Sequence, residues 1–398
     1  MMQLHRTRSL RFVFWGLVAC LLLTLASACG PGSSESPAPV AEPAAETPPP
    51  TLPGSHLDAD ALLRTAQLLA GLDEGEGGEP WSSHAPAMEA LWSEVESRHL
   101  AAMGTWAEGA LGGVGNAELP VFYPFGGPDL PSVQQFFPDA SAFVLVGLEP
   151  PGSLPLLDTI APESLAGELE RLRSGFENLA EKGYFVAKHM ESDFSATHLD
   201  GFLPVLYISL ARSGHVPTAV QFFDLADDGT TTALETVTSD TARSVKIVFE
   251  SLGEDGSPQG DPRKLYYFAQ DLSNQGLAES PGFGRFVEAL GPQNVYMKAA
   301  MYLPHTDDFS DFNTLVMDKA QTLLQEDSGI PMRQIDGDRF DVTLFGVYEA
   351  TLPNYREYFQ PDLRDAYAAA GPELLPFEIG YNARIAGSCL IWAERGGD

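Results

Sequence analysis

Downstream of residue 29 this chain contains a single cysteine, Cys389, so its folded part cannot close an intramolecular disulfide and must be held together by a packed core. Residues 56–398 are enough to bury such a core as one globular region. Cys389 stands in an apolar run with Leu390, Ile391 and Trp392, which reads as a buried, unreactive thiol. The other two cysteines, Cys20 and Cys29, lie in the N-terminal segment.

That segment carries Arg6, Arg8 and Arg11 without an acid, and an apolar run follows from Phe12 to Leu25. The run is 14 residues long, shorter than the ~20 that a permanent membrane-spanning helix needs. It stops at the small residues Ala26-Ser27-Ala28, so residues 1–28 read as a cleaved secretory signal. Cys29 follows directly, and the arrangement resembles the lipobox of bacterial lipoproteins, with Ala26 where leucine is commoner in that motif. The resemblance implies an acylated (palmitate-type) Cys29 that anchors the chain to a membrane of the cell envelope. One acyl chain anchors marginally and two anchor stably. Residues 29–55 are rich in Pro, Ala, Glu, Ser and Thr and have little apolar surface to bury, so they read as a disordered tether.

Beyond the tether, helical and strand patterns alternate. Met88, Leu91, Trp92, Val95, Ala102, Met103 and Trp106 form one helical stripe, with His99 in line with it as a core-edge histidine. A second amphipathic helix follows Pro162, with Leu165, Leu169, Leu172, Phe176 and Leu179 on one face and Gly183 placed to end it. Residues 142–148 are β-branched and aromatic on both faces, which suits a strand covered on both sides. Residues 244–250 and 264–270 read as a hairpin with a long polar loop, and 295–303 and 340–348 as further strands. The order lacks the regular repeat of a Rossmann or barrel chain. It predicts an α+β fold, a single large globular region with interleaved helices and mostly antiparallel strands.

The net charge of −32 excludes nucleic acid as a partner, because phosphates would be repelled. Cationic groups, or a positively charged envelope polymer, are the ligands such a field attracts. No cofactor and no metal are expected, because the chain has no phosphate-binding glycine loop, no nucleophile elbow, no zinc-helix motif and no calcium loop.

Three groupings could carry chemistry. Asp327-Ser328-Gly329 matches the Asp-Ser/Thr-Gly loop of aspartic proteases, where two copies share a proton, but only one copy is present and the segment ending at Glu326 reads as helix. His305-Thr306-Asp307-Asp308 reads as the opening of a helix with Phe309, Phe312, Val316, Ala320 and Leu323 on its apolar face, the acids capping it. His189 and His198, with Glu191 and Asp193 between them, lack the spacing of helical metal ligands.

Aromatic, proline and acid residues recur together in the loops Tyr123–Asp129 (YPFGGPD), Phe137-Pro138-Asp139 and Tyr358–Asp362 (YFQPD). Tyr123, Asp129, Tyr358 and Asp362 are the candidate ligand-binding residues, combining aromatic faces with carboxylates that suit a sugar or a cationic group. With Val144–Pro150 (VLVGLEP) and Gln325–Pro331 (QEDSGIP), these loops resemble a family of uncharacterised exported bacterial proteins over residues 119–398. The resemblance implies no activity. The expected function is a non-catalytic binding or interaction protein of the envelope, and the alternative is an envelope-polymer hydrolase using Asp129, Asp327 or Asp362. Cys29→Ala should move the protein from the membrane to the soluble fraction, and an unchanged membrane fraction with no lipid mass on the wild type would refute the anchor.

Overall fold

The computed structural model describes residues 52–53, 58–73, 78–111, 118–185, 198–237, 242–383 and 387–396. The expected signal 1–28, Cys29, most of the tether, and His189, Glu191 and Asp193 lie outside them. The described strands are β1 (Leu52–Pro53), β2 (Val121–Tyr123), β3 (Ala142–Gly147), β4 (His215–Leu225), β5 (Thr231–Ala233), β6 (Thr236–Val237), β7 (Ser244–Leu252), β8 (Pro258–Ala269), β9 (Gln293–Met297), β10 (Ala320–Gln325), β11 (Phe340–Gly346) and β12 (Cys389–Arg395). The described helices are α1 (Ala59–Leu69), α2 (Trp81–Val95), α3 (Ala101–Ala110), α4 (Leu130–Phe136), α5 (Pro162–Lys182), α6 (Leu203–Arg212), α7 (Asn274–Glu279), α8 (Pro281–Ala289), α9 (Ser310–Lys319) and α10 (Pro361–Ala370). The fold is α+β, as the interleaved patterns predict.

Ten strands form one mixed sheet in the order β11-β12-β10-β9-β2-β3-β8-β7-β4-β5. Its centre, β10-β9-β2-β3-β8, is parallel throughout, and the flanking pairs are antiparallel. A separate two-residue ladder pairs β1 with β6, so regular pairing begins inside the range expected to be tether.

Side-chain alternation along the central strands feeds two cores. Tyr123, Phe143, Leu145, Tyr296, Leu324 and Trp392 enter one core with side chains of helices α1 to α6. Phe122, Val144, Val146, Met297, Leu323 and Ile391 enter the other with α8, α9 and α10. The sheet is therefore the middle of three layers, which explains why β3 has no polar face. Helix α5 ends where its sequence says, at Gly183 in the left-handed conformation with φ 75°. The stripe from Met88 to Trp106 is also helical, but a π-helical turn, Glu96–Leu100, interrupts it. His99 on that turn is buried, and its Nε2 lies 2.8 Å from the Ala180 carbonyl oxygen.

Two expectations are corrected. The helix read through to Leu323 ends at Lys319, and Ala320–Gln325 is strand β10, held between β9 and β12. Ala320 and Leu323 fit both the helical and the strand period, and pairing on both edges decides in favour of the strand. The strand expected over residues 295–303 stops at Met297, because Ala299, Met301 and Tyr302 adopt positive φ values of 56°, 53° and 56° that no strand accommodates.

Candidate functional site

Strand β2 leads to β3 on one side, while β9 and then β10 pair on its other side, so the connections diverge at β2. In open parallel sheets this switch point creates a crevice beyond the carboxyl ends of the strands. Five loops leave the central strands there, after Tyr123, Gly147, Ala269, Met297 and Gln325. The motifs YPFGGPD, VLVGLEP and QEDSGIP run from the ends of β2, β3 and β10 into these loops.

Four of the loops enclose a cavity of about 320 Å³. Its walls include Phe125, Val146, Phe202, Leu272, Leu303 and Phe309, with the backbone of Gly126 and Gly127 alongside. Leu148 and Met301 stand on its lining 69% and 54% exposed, two of the four large hydrophobic side chains most open to solvent among the described residues. The four described non-glycine residues with positive φ are Phe125, Ala299, Met301 and Tyr302. Three of them line the cavity and Tyr302 adjoins it. Each left-handed non-glycine residue costs roughly 1 kcal/mol or more, and such strain collects where the surrounding structure over-determines the backbone.

The determinant is a buried polar cluster behind the wall formed by residues 299–302. The Glu326 carboxyl accepts from the Ala299 amide at 3.0 Å, and the Ser328 hydroxyl accepts from the Ala300 amide at 2.8 Å. Ser328 in turn donates to Glu326. The Tyr302 hydroxyl donates to Asp327 at 2.6 Å, Asn382 donates to the same carboxylate, and Tyr381 donates to the Ala299 carbonyl at 2.7 Å. The Gln325 amide bonds both N–H and C=O of Ile330, closing the QEDSGIP loop on itself. A Cβ on Gly329 would come within 2.3 Å of Gln325 Oε1, so a larger residue there would push the Gln325 amide off its bonds to Ile330.

Burial, and then the neighbouring Asp327, push the Glu326 carboxyl far above the carboxylate range. Asp327 is also raised by burial. Of the two, Glu326 is pushed further up and is the one that keeps its proton as pH rises. Cys389 lies 3.6 Å from Asp327, and burial followed by that carboxylate pushes its thiol up, which keeps it unreactive.

A second network ties the loops after β2 and β9 together. Tyr123 and Ser132 each donate to Asp129 at 2.8 Å, and Lys298 lies 2.6 Å from the same carboxylate. Lys298 also donates to Ser132 and to the Gly183 carbonyl, both at 2.7 Å. Its three ammonium hydrogens are thereby all directed to partners. Lys298 went unnoticed in the sequence, although a lone cation inside the apolar run Val295–Leu303 signals a buried partner.

The four candidate binding residues divide into two pairs. Tyr123 and Asp129 are bonded to each other inside the protein. Tyr358 is half-buried, stacked 5.4 Å from Tyr302 and edge-on to His305, and Asp362 is exposed at the start of α10. The loop carrying that second pair docks on the QEDSGIP loop through Gln360, which donates to the Asp327 carbonyl. His305 is held down at about 4 chiefly by burial, hence neutral, with Nε2 3.2 Å from that same carbonyl. Asp307 and Asp308 form a 3-10 turn ahead of α9 and provide no side-chain cap, a correction to their expected capping role. Among the described residues no group of three or more His, Cys, Asp or Glu side chains could hold a metal ion, and no helix is long and apolar enough to cross a membrane.

No protein-family model and no curated protein matches the chain.

Because the folded protein keeps Glu326 protonated and the unfolded chain releases that proton near its ordinary value of 4.5, this group favours folding most below that pH and progressively less as pH rises. Glu326→Gln keeps the hydrogen-bonding shape and removes the titration. Melting curves from pH 5 to 9 should show a wild-type Tm that falls with pH more steeply than the variant's. Parallel slopes would show that Glu326 is ionised in the fold.

Proposed function

We propose that this chain is a non-catalytic binding protein of the bacterial cell envelope, lipid-anchored through Cys29, that takes an apolar small molecule into the cavity at the carboxyl ends of its parallel strands. The observation that carries this reading is the cavity itself, with its apolar walls, its preformed strained rim and its place at the switch point. Its volume is on the order of ten waters at ~30 Å³ each, enough for a ligand of about that many heavy atoms. An exposed apolar rim on Leu148 and Met301 supports the same reading, since exposed apolar patches mark sites of contact.

Binding fits better than hydrolysis by Asp129, Asp327 or Asp362. Asp129 and Asp327 are buried and saturated by hydrogen bonds to Tyr123, Ser132, Tyr302 and Asn382, and Asp362 stands exposed on α10. General acid-base work requires a carboxyl within reach of a bound substrate.

The neutral fluorescent probe 1-aminonaphthalene, close to the cavity in size, should bind with a stoichiometry near one and be displaced by n-octanol. The double variant Leu148→Ser/Met301→Asn should weaken the probe at least ~5-fold through lost apolar contact. Stability should stay within ~0.5 kcal/mol, because both sites are exposed and asparagine tolerates the left-handed backbone at position 301. Unchanged probe affinity in the variant would reject the cavity as the site.

A further inference from the structure

The cavity's charge and ring content select among apolar ligands, and the selection rests on the cavity being the binding site. Glu149 and Asp271 line it, and no Lys, Arg or His does so among the described residues. Asp271 uses one oxygen, Oδ1, to accept the Ser273 amide at 2.8 Å, which leaves its other oxygen for a ligand. The Glu149 carboxylate forms no ion pair among the described residues, and its backbone carbonyl accepts from Tyr267. Four phenylalanines, Phe125, Phe185, Phe202 and Phe309, share the lining with these two acids.

We propose that the occupant is an ammonium-bearing apolar molecule, a primary or quaternary amine on a hydrocarbon body, whose cation is held by Glu149 and Asp271 against phenylalanine faces. An anion in this cavity would face two carboxylates with no compensating cation, and the net charge of −32 adds a long-range penalty. A neutral head gains only hydrogen bonds. A cation gains both carboxylates and the negative faces of the rings, and those terms strengthen as water leaves the cavity. The apolar body occupies the space between Val146, Leu272 and Leu303, which a bare inorganic cation would leave empty.

Three ligands of equal chain length separate the possibilities: n-octylamine, n-octanol and n-octanoate, each titrated at pH 7 against the same fluorescent probe on the full folded chain. The expected result is a Kd for n-octylamine at least ~10-fold below that for n-octanol, with n-octanoate weakest. Raising the salt from 50 to 500 mM should narrow the gap between amine and alcohol. In Glu149→Gln/Asp271→Asn, which preserves the Asp271 acceptor to Ser273, the preference should disappear while n-octanol affinity is unchanged. Equal affinity of amine and alcohol in the wild type, or a preference that survives the double substitution, overturns the cation assignment and leaves the cavity as an apolar site. Failure of all three ligands to displace the probe overturns the cavity reading itself.

Discussion

Strand β2 is three residues long, yet it pairs in parallel with β3 through Val121 to Tyr123 and with β9 through Val121 and Phe122. Without it the central sheet would divide into two separate ladders. The divergence of the connections at β2 opens the crevice, and its last residue, Tyr123, is the first link of the network that fixes the crevice loops. So short a strand cannot be stabilised by its own ladder bonds. It is held because Phe122 packs into one core and Val121 and Tyr123 into the other.

Below the cavity, two polar networks perform different physical tasks. The Asp129–Lys298 pair is almost completely excluded from water, at 1% exposure on both sides. Such a pair adds little net stability over an apolar substitute, while losing one partner strands a buried charge at a cost of about 3–5 kcal/mol. Its value is geometric, since it binds the loop after β2, the end of β9 and the C-terminus of α5 at one point. The Glu326-Asp327-Ser328 cluster acts on conformation: it engages the Ala299 and Ala300 amides and the Tyr302 hydroxyl, in a stretch where Ala299, Met301 and Tyr302 carry left-handed strain. Releasing that cluster would let the wall of the cavity relax.

Much of the fold was legible because its signals are local. The α5 stripe and its glycine stop need no tertiary information, and neither does the two-faced apolar run of β3. The boundary between α9 and β10 was not legible, because Val316, Ala320 and Leu323 continue a helical stripe. What overrides that stripe is pairing with β9 and with β12, whose residues lie up to 75 positions away. The site was legible as loops and not as a site. The motifs were visible as unusual loops, but their meeting depends on parallel strand order, which composition and period do not encode. The candidate residues that the sequence offers, Tyr123, Asp129, Tyr358 and Asp362, are aromatic and acidic. The cavity wall is mostly phenylalanine, leucine and glycine, which in a sequence look like ordinary core.

Charge and cavity chemistry are linked through desolvation. A surface dominated by carboxylates attracts any cation, and salt screens that attraction within about 10 Å at 0.1 M. Selectivity needs a place where the ion is partly removed from water, because there a carboxylate is worth several times its surface value. On the cation proposal, half-buried Glu149 and exposed Asp271 would supply this beside the phenylalanine faces once the ligand's hydrocarbon displaces the water. The strained rim matters for the same reason: a wall already fixed by Glu326 and Ser328 loses little conformational entropy when a ligand enters, so more of the contact energy appears as affinity.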